Sequence, residues 1–295
     1  MRFSSLFSGL VTILTAGNVM AGPPPPPSPP GPRAGPGPLA GPAAPPTILL
    51  VHGAWHNTPT FDLLRAQLSQ RGFSSTAVKL VTAGPTDAKN QGIAQDVVVI
   101  QSELDGLVNA GKEVVVVCHS YGGIPTAAAV EGRNLKDRAA QGQKGGVRMV
   151  VYMTSFALPK GVSLMDGLGG KPADFFNVTG DVILPIDPAN RFYADVEPAL
   201  SAKAVSQILP QSLKAFEDKA IFEPWAAGFE MGYIFAEDDQ AIPIDVQKQM
   251  QSAFPSGSFT ASLKSSHSPF LSMPARVADL LQQAVDQSAK KPGRP

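Results

Sequence analysis

Ser120, His267 and the acidic pair Asp238 and Asp239 are the residues of this chain whose types and order could carry out nucleophilic chemistry. Ser120 stands in "VVVVCHSYGG" (114–123), where an apolar run meets two glycines. A serine hydroxyl is a weak nucleophile until a base takes its proton and an acid orients that base. On α/β sheets the three follow in chain order serine, acid, histidine, with the acid after a late strand and the histidine after the last one. The chain has four histidines, and only His267, in "SSHSPF" (265–270), follows Ser120. The acid is expected in "FAEDDQAIP" (235–243), where Asp238 and Asp239 are both candidates and Glu237 is a weaker one. A tetrahedral intermediate also needs two backbone N–H donors. Tyr121, the residue after the serine, should supply one. Ala54, in "HGAWHN" (52–57), should supply the other, with His52 and Gly53 shaping that loop.

Cys118 is the only cysteine, so no internal disulfide can form. Its neighbour His119 does not make a thiol–imidazole pair, because successive strand residues point to opposite faces. Cys118 reads as a buried small residue.

These residues need a frame. "TILLVHG" (47–53), "FSSTAVKLV" (73–81), "EVVVVCHS" (113–120), "VRMVVYMTSFALP" (147–159), "EMGYIFAEDD" (230–239) and "GSFTASLKSS" (257–266) read as strands. Between them, 58–72, 93–112 and 275–285 repeat apolar residues at helical spacing, and a helix of small residues follows Ser120. "NLKDRAAQGQKGG" (134–146) reads as a mobile surface loop. Strands alternating with helices predict an α/β fold, a mostly parallel sheet with helices on both faces. The alternation stops between Pro159 and Gly228. Residues 160–228 are expected to form a helical cap over the sheet end where ligands bind in such folds. Phe175, Phe176, Phe192, Tyr193, Phe222 and Trp225 suggest an apolar or aromatic pocket there.

The ends have a different character. Residues 1–21 carry Arg2, an apolar run and "VMA", the pattern of a secretory signal peptide cleaved after Ala21. Residues 22–46 are Pro/Gly-rich and cannot bury enough apolar surface to fold, so they read as a disordered tether. The catalytic domain is placed at 47–288 and a flexible tail at 289–295. Secretion makes Asn177, in the sequon "NVT", a glycosylation candidate. Formal net charge is zero, which gives no basic field for nucleic acid or an anionic membrane.

Four stretches together, "ILLVHGAWHNTPTFDLL", "VVVVCHSYGG", "YIFAEDDQAIP" and "SSHSPFLSMP", resemble the α/β-hydrolase superfamily, and within it the branch of plant methylesterases and hydroxynitrile lyases. The resemblance covers about 47–288. It implies a catalytic set of Ser120, Asp239 and His267, with Asp239 chosen over Asp238 because the family's acid lies four residues before the proline that here is Pro243. It also implies Ala54 and Tyr121 as oxyanion donors and accounts for Cys118 where the general nucleophile motif has glycine. The expected activity is that of a serine carboxylic ester hydrolase acting on a small-molecule methyl ester, aryl ester or lactone, with no metal or organic cofactor. Lyases of the branch carry a threonine in the first loop and a lysine just after the histidine, whereas this chain has Gly53 and Ser268. A lyase, and an inactive binding protein on the same fold, are the alternatives.

Overall fold

The computed structural model describes residues 44–291. The expected signal peptide, residues 22–43 of the tether and the last four residues of the tail lie outside them.

Before the insertion the chain runs β1 (Thr47–Val51), a 3₁₀ turn (Thr58–Phe61) leading into α1 (Asp62–Gln70), β2 (Ser75–Val78), α2 (Ile93–Asn109), β3 (Glu113–Ser120), α3 (Gly123–Ala129), α4 (Leu135–Ala140) and β4 (Gly146–Ser155). The insertion holds α5 (Leu164–Gly167), β5 (Phe176–Thr179), β6 (Val182–Pro185), α6 (Pro188–Tyr193), α7 (Pro198–Ser206), β7 (Gln211–Ser212) and α8 (Lys214–Glu217). Then come β8 (Glu230–Ala236), α9 (Ile244–Gln251), β9 (Phe259–Leu263), α10 (Pro269–Ser272) and α11 (Pro274–Ala289).

Six strands form one sheet in the order β2-β1-β3-β4-β8-β9, and every pairing is parallel. The order follows from burial. β1 and β4 are buried at every residue and β3 at every residue but Glu113. Unbroken apolar runs of this kind suit central strands covered on both faces, and helices lie on both sides of the sheet. Helix α2 presents Ile93, Asp96, Ile100, Leu104 and Val108 to the interior at helical spacing. Four of these are the apolar stripe a surface helix needs; the carboxylate among them is taken up below.

Two expectations need revision. Residues 134–146 are not an irregular loop throughout: they include α4. Asn134 caps it by accepting the Lys136 N–H (2.9 Å), and the helix-forming run Leu-Lys-Asp-Arg-Ala-Ala follows. The insertion carries the expected helices, and it also carries a three-stranded antiparallel sheet, β5-β6-β7. Its first hairpin turns through Gly180 and Asp181, with Thr179 opposite Val182 and Gly180 at φ 57°. The insertion docks on the loop after β2. The Gly84 N–H donates to Pro210 O (2.7 Å) and the Ser212 N–H to Thr82 O (2.9 Å).

Candidate active site

Ser120 is the last residue of β3, and its φ is +53°. A side chain rarely adopts this conformation, and the cost is carried only where the surroundings fix it. Here the Ser120 carbonyl accepts both the Ser155 hydroxyl (2.7 Å) and the Phe156 N–H (3.1 Å). Neighbouring glycines leave the space. A Cβ on Gly53 would stand 2.7 Å from Ser120 Cβ, and one on Gly122 would run into His52 O. Two other non-glycine residues with positive φ flank the site, Trp55 (65°) and Thr154 (38°).

His267 follows β9, in the loop that enters α10. Its Nδ1 donates to Asp239 Oδ2 (2.7 Å), and both side chains are buried. Asp239 Oδ1 accepts the N–H groups of Ala241 (2.7 Å) and Ile242 (2.9 Å), and Oδ2 also accepts the Thr154 hydroxyl. A carboxylate held by four donors remains a fixed acceptor, so it selects the imidazole tautomer with its proton on Nδ1 and its lone pair on Nε2. The His267 carbonyl is held as well, by His119 Nε2 (2.9 Å). Asp238 and Glu237 are exposed.

Ser120, His267, Ala54 and Tyr121 line one narrow cavity of about 20 Å³, room for about one water. Among the described residues the N–H groups of Ala54 and Tyr121 have no protein acceptor, and no hydrogen bond joins Ser120 to His267. Phe175, Phe176, Phe192 and Phe216 from the insertion wall the cavity with Trp55. Tyr193 lies outside it, bonded to His56 (2.9 Å). Trp225 packs on Phe254 and Tyr152, and Phe222 on Phe229, so neither reaches the cavity. Cys118 does not line it either, and burial pushes its thiol well above the ordinary range. Asn177 is exposed on β5, at the edge of the insertion's sheet.

The other histidines are held neutral. His52 donates from Nδ1 to Gly53 O (2.8 Å) and accepts the Leu80 N–H (3.1 Å) at Nε2, which shapes the first loop. Burial lowers His52 to about 4 and His56 to about 3; His119 is also well below its usual value, through burial and the nearby His267. In the unfolded chain each would titrate near 6.5. Their stability contribution is therefore complete above pH ~6.5 and is lost as pH falls through the folded values. For His52 the shift amounts to roughly 3 kcal/mol. Asp96 works in the opposite sense. Burial raises it to about 6, so its contribution is complete below its unfolded value and lost as pH rises through about 6. Three histidines outweigh one carboxylate, so the urea midpoint is expected to fall steeply between about pH 6.5 and 4. A flat midpoint over that window would show that these rings are not buried neutral.

Sequence reasoning missed Thr154, the extra residue at the register shift between β3 and β4. It also passed over Asp96, although an aspartate on the apolar stripe of a helix was a visible signal.

A model described as "Alpha/beta hydrolase family" matches residues 48–280. A probable hydrolase from Phoma sp. is 29% identical over 256 residues, covering 81% of this chain and 97% of the relative. A pyrethroid hydrolase from Sphingobium wenxiniae is 27% identical over 258 residues, covering 82% and 89%. The solved structure of a methylesterase from Arabidopsis superimposes with a TM-score of 0.65 at 22% identity, covering 81% of this chain and 99% of that one.

Proposed function

Because the chain belongs to the alpha/beta hydrolase family, we propose that this hydrolase is a serine carboxylesterase with Ser120, His267 and Asp239 as its catalytic residues. One observation carries the reading: a serine on a strained turn shares a cavity with an Asp-bound imidazole and two backbone N–H groups that lack acceptors. Ser120 Oγ attacks the ester carbonyl while His267 Nε2 takes its proton. The N–H groups of Ala54 and Tyr121 hold the oxyanion. His267 then protonates the departing alcohol. Water, deprotonated by the same imidazole, releases the acyl group and restores Ser120.

The aromatic wall favours a small or aromatic ester, and the names pyrethroid hydrolase and methylesterase borne by relatives support ester chemistry. Gly53 and Ser268 argue against the lyase alternative, since they leave out the hydroxyl and the cation that the branch's lyases carry at these places.

A fluorophosphonate probe followed by peptide mapping tests the reading, alongside a panel of 4-nitrophenyl and methyl esters of increasing acyl size. The expected result is a single label on Ser120 that abolishes hydrolysis. Hydrolysis that persists in fully labelled protein would overturn the mechanism. Cyanide release from mandelonitrile at a rate rivalling ester hydrolysis would move the assignment to a lyase.

A further inference from the structure

The two proposed oxyanion donors lie on different loops, Ala54 after β1 and Tyr121 after β3. A buried hydrogen-bond chain joins these loops from behind. The Trp55 N–H donates to Gln211 Oε1 (3.2 Å), and Gln211 Nε2 donates to Thr82 Oγ1 (2.9 Å). The Thr82 hydroxyl donates to Asp96 Oδ2 (2.5 Å), and the Tyr121 hydroxyl donates to the same oxygen (2.8 Å). Asp96 Oδ1 takes the N–H groups of Val81 (2.8 Å) and Thr82 (3.1 Å). Gln211, Thr82 and Asp96 have no solvent exposure, and Tyr121 has almost none.

Every link has one donor and one acceptor, so the chain has a single direction, and Asp96 is its sink. Burying a carboxylate without a cation is expensive, and an apolar residue on the stripe of α2 would serve packing better. What the network does supply is orientation. The Ala54–Trp55 peptide is gripped at both ends, by His56 Nδ1 on its carbonyl (2.6 Å) and by Gln211 on its N–H. The preceding peptide is gripped at Gly53 O by His52 (2.8 Å), and Ala54, whose N–H has no protein acceptor among the described residues, lines the cavity. Trp55 keeps its positive φ because the insertion also holds its carbonyl, through the Leu209 N–H (2.9 Å), and its indole N–H, through Ile183 O (3.0 Å).

On the serine-esterase reading above, we propose that Gln211 is a positioning residue. With Thr82 and Asp96 it locks the two oxyanion donors into one rigid unit, so that the insertion sets the rate of the chemical step as well as the fit of the ester. Donors that need no reorganisation as charge develops are the largest source of such catalysis.

The test compares Gln211→Met, Thr82→Val and Thr82→Ser with the parent on 4-nitrophenyl acetate. It adds the inhibition constants of phenyl trifluoromethyl ketone, which forms an oxyanion adduct with the serine, and of the matching phenyl carbinol, which does not. Gln211→Met and Thr82→Val are expected to lower kcat by ~10- to 100-fold, less than outright removal of a donor. KM should stay nearly constant, the ketone should weaken in parallel with kcat, the carbinol should be unaffected, and Thr82→Ser should restore the rate. Parental kcat in folded Gln211→Met would overturn the proposal, as would equal weakening of ketone and carbinol. If Gln211→Met does not fold, the Thr82 pair decides: Thr82→Val as fast as Thr82→Ser would overturn it. Failure of the serine reading itself would show separately, as absent fluorophosphonate labelling of the parent.

Discussion

A Ser120→Ala protein is expected to lose ~10⁴-fold or more in kcat on 4-nitrophenyl esters while melting close to the parent temperature. The loss is large because the proposed covalent route begins at this oxygen; what remains would come from the oxyanion donors and binding alone. The melting temperature should hold for a local reason. The Ser120 hydroxyl is bonded to neither His267 nor any other side chain, and the bonds that fix the turn go to the Ser120 carbonyl, which alanine retains. The variant's activity and thermal melt should be measured on the same preparation. A folded variant within about tenfold of parental kcat would remove Ser120 from the mechanism.

Asp239→Asn should cost about 10⁴ in kcat, whereas Asp238→Asn should leave the rate unchanged. The asymmetry rests on placement. Asp239 is buried and accepts from His267 Nδ1, Thr154 and two backbone N–H groups, whereas Asp238 is exposed. An amide cannot accept at every one of these points. Its NH₂ would face either the two backbone N–H groups or the imidazole. If it turns toward His267, the ring must accept at Nδ1 and carry its proton on Nε2, where it can no longer take one from Ser120. Steady-state kinetics on the two asparagine variants check this, and equal effects on both would refute the assignment of the acid.

The main sheet was legible because its signals are local. "TILLV", "EVVVVCHS" and "VRMVVYMTS" are apolar runs of strand length separated by amphipathic helices, and such strands have few places to go but the centre of a parallel sheet. That His267 would meet an acid after β8 followed from chain order. Choosing between Asp238 and Asp239 required the resemblance, because spacing alone does not say which of two adjacent side chains turns inward. The insertion was less legible. "FNVT" and "VILP" are each four residues and partly exposed, and the second ends at a proline, so the Gly180-Asp181 turn is the one strong hairpin signal between them. β7 has only two residues, Gln211 and Ser212, and is a strand solely because of what it packs on. The same holds for the Gln211–Thr82–Asp96 chain, whose members lie 129 and 14 positions apart. No short window of sequence contains it.

The cavity beside Ser120 has room for about one water, and its walls are mostly apolar side chains of the insertion, among them Leu164, Leu168, Phe175, Phe176, Phe192 and Phe216. On the proposed route, an ester that reaches Ser120 exchanges contact with water for contact with these side chains. Each methylene it buries there contributes about 0.8 kcal/mol, roughly a fourfold gain in affinity. Acyl preference would then be set by the insertion, a part of the chain that supplies none of the proposed catalytic groups.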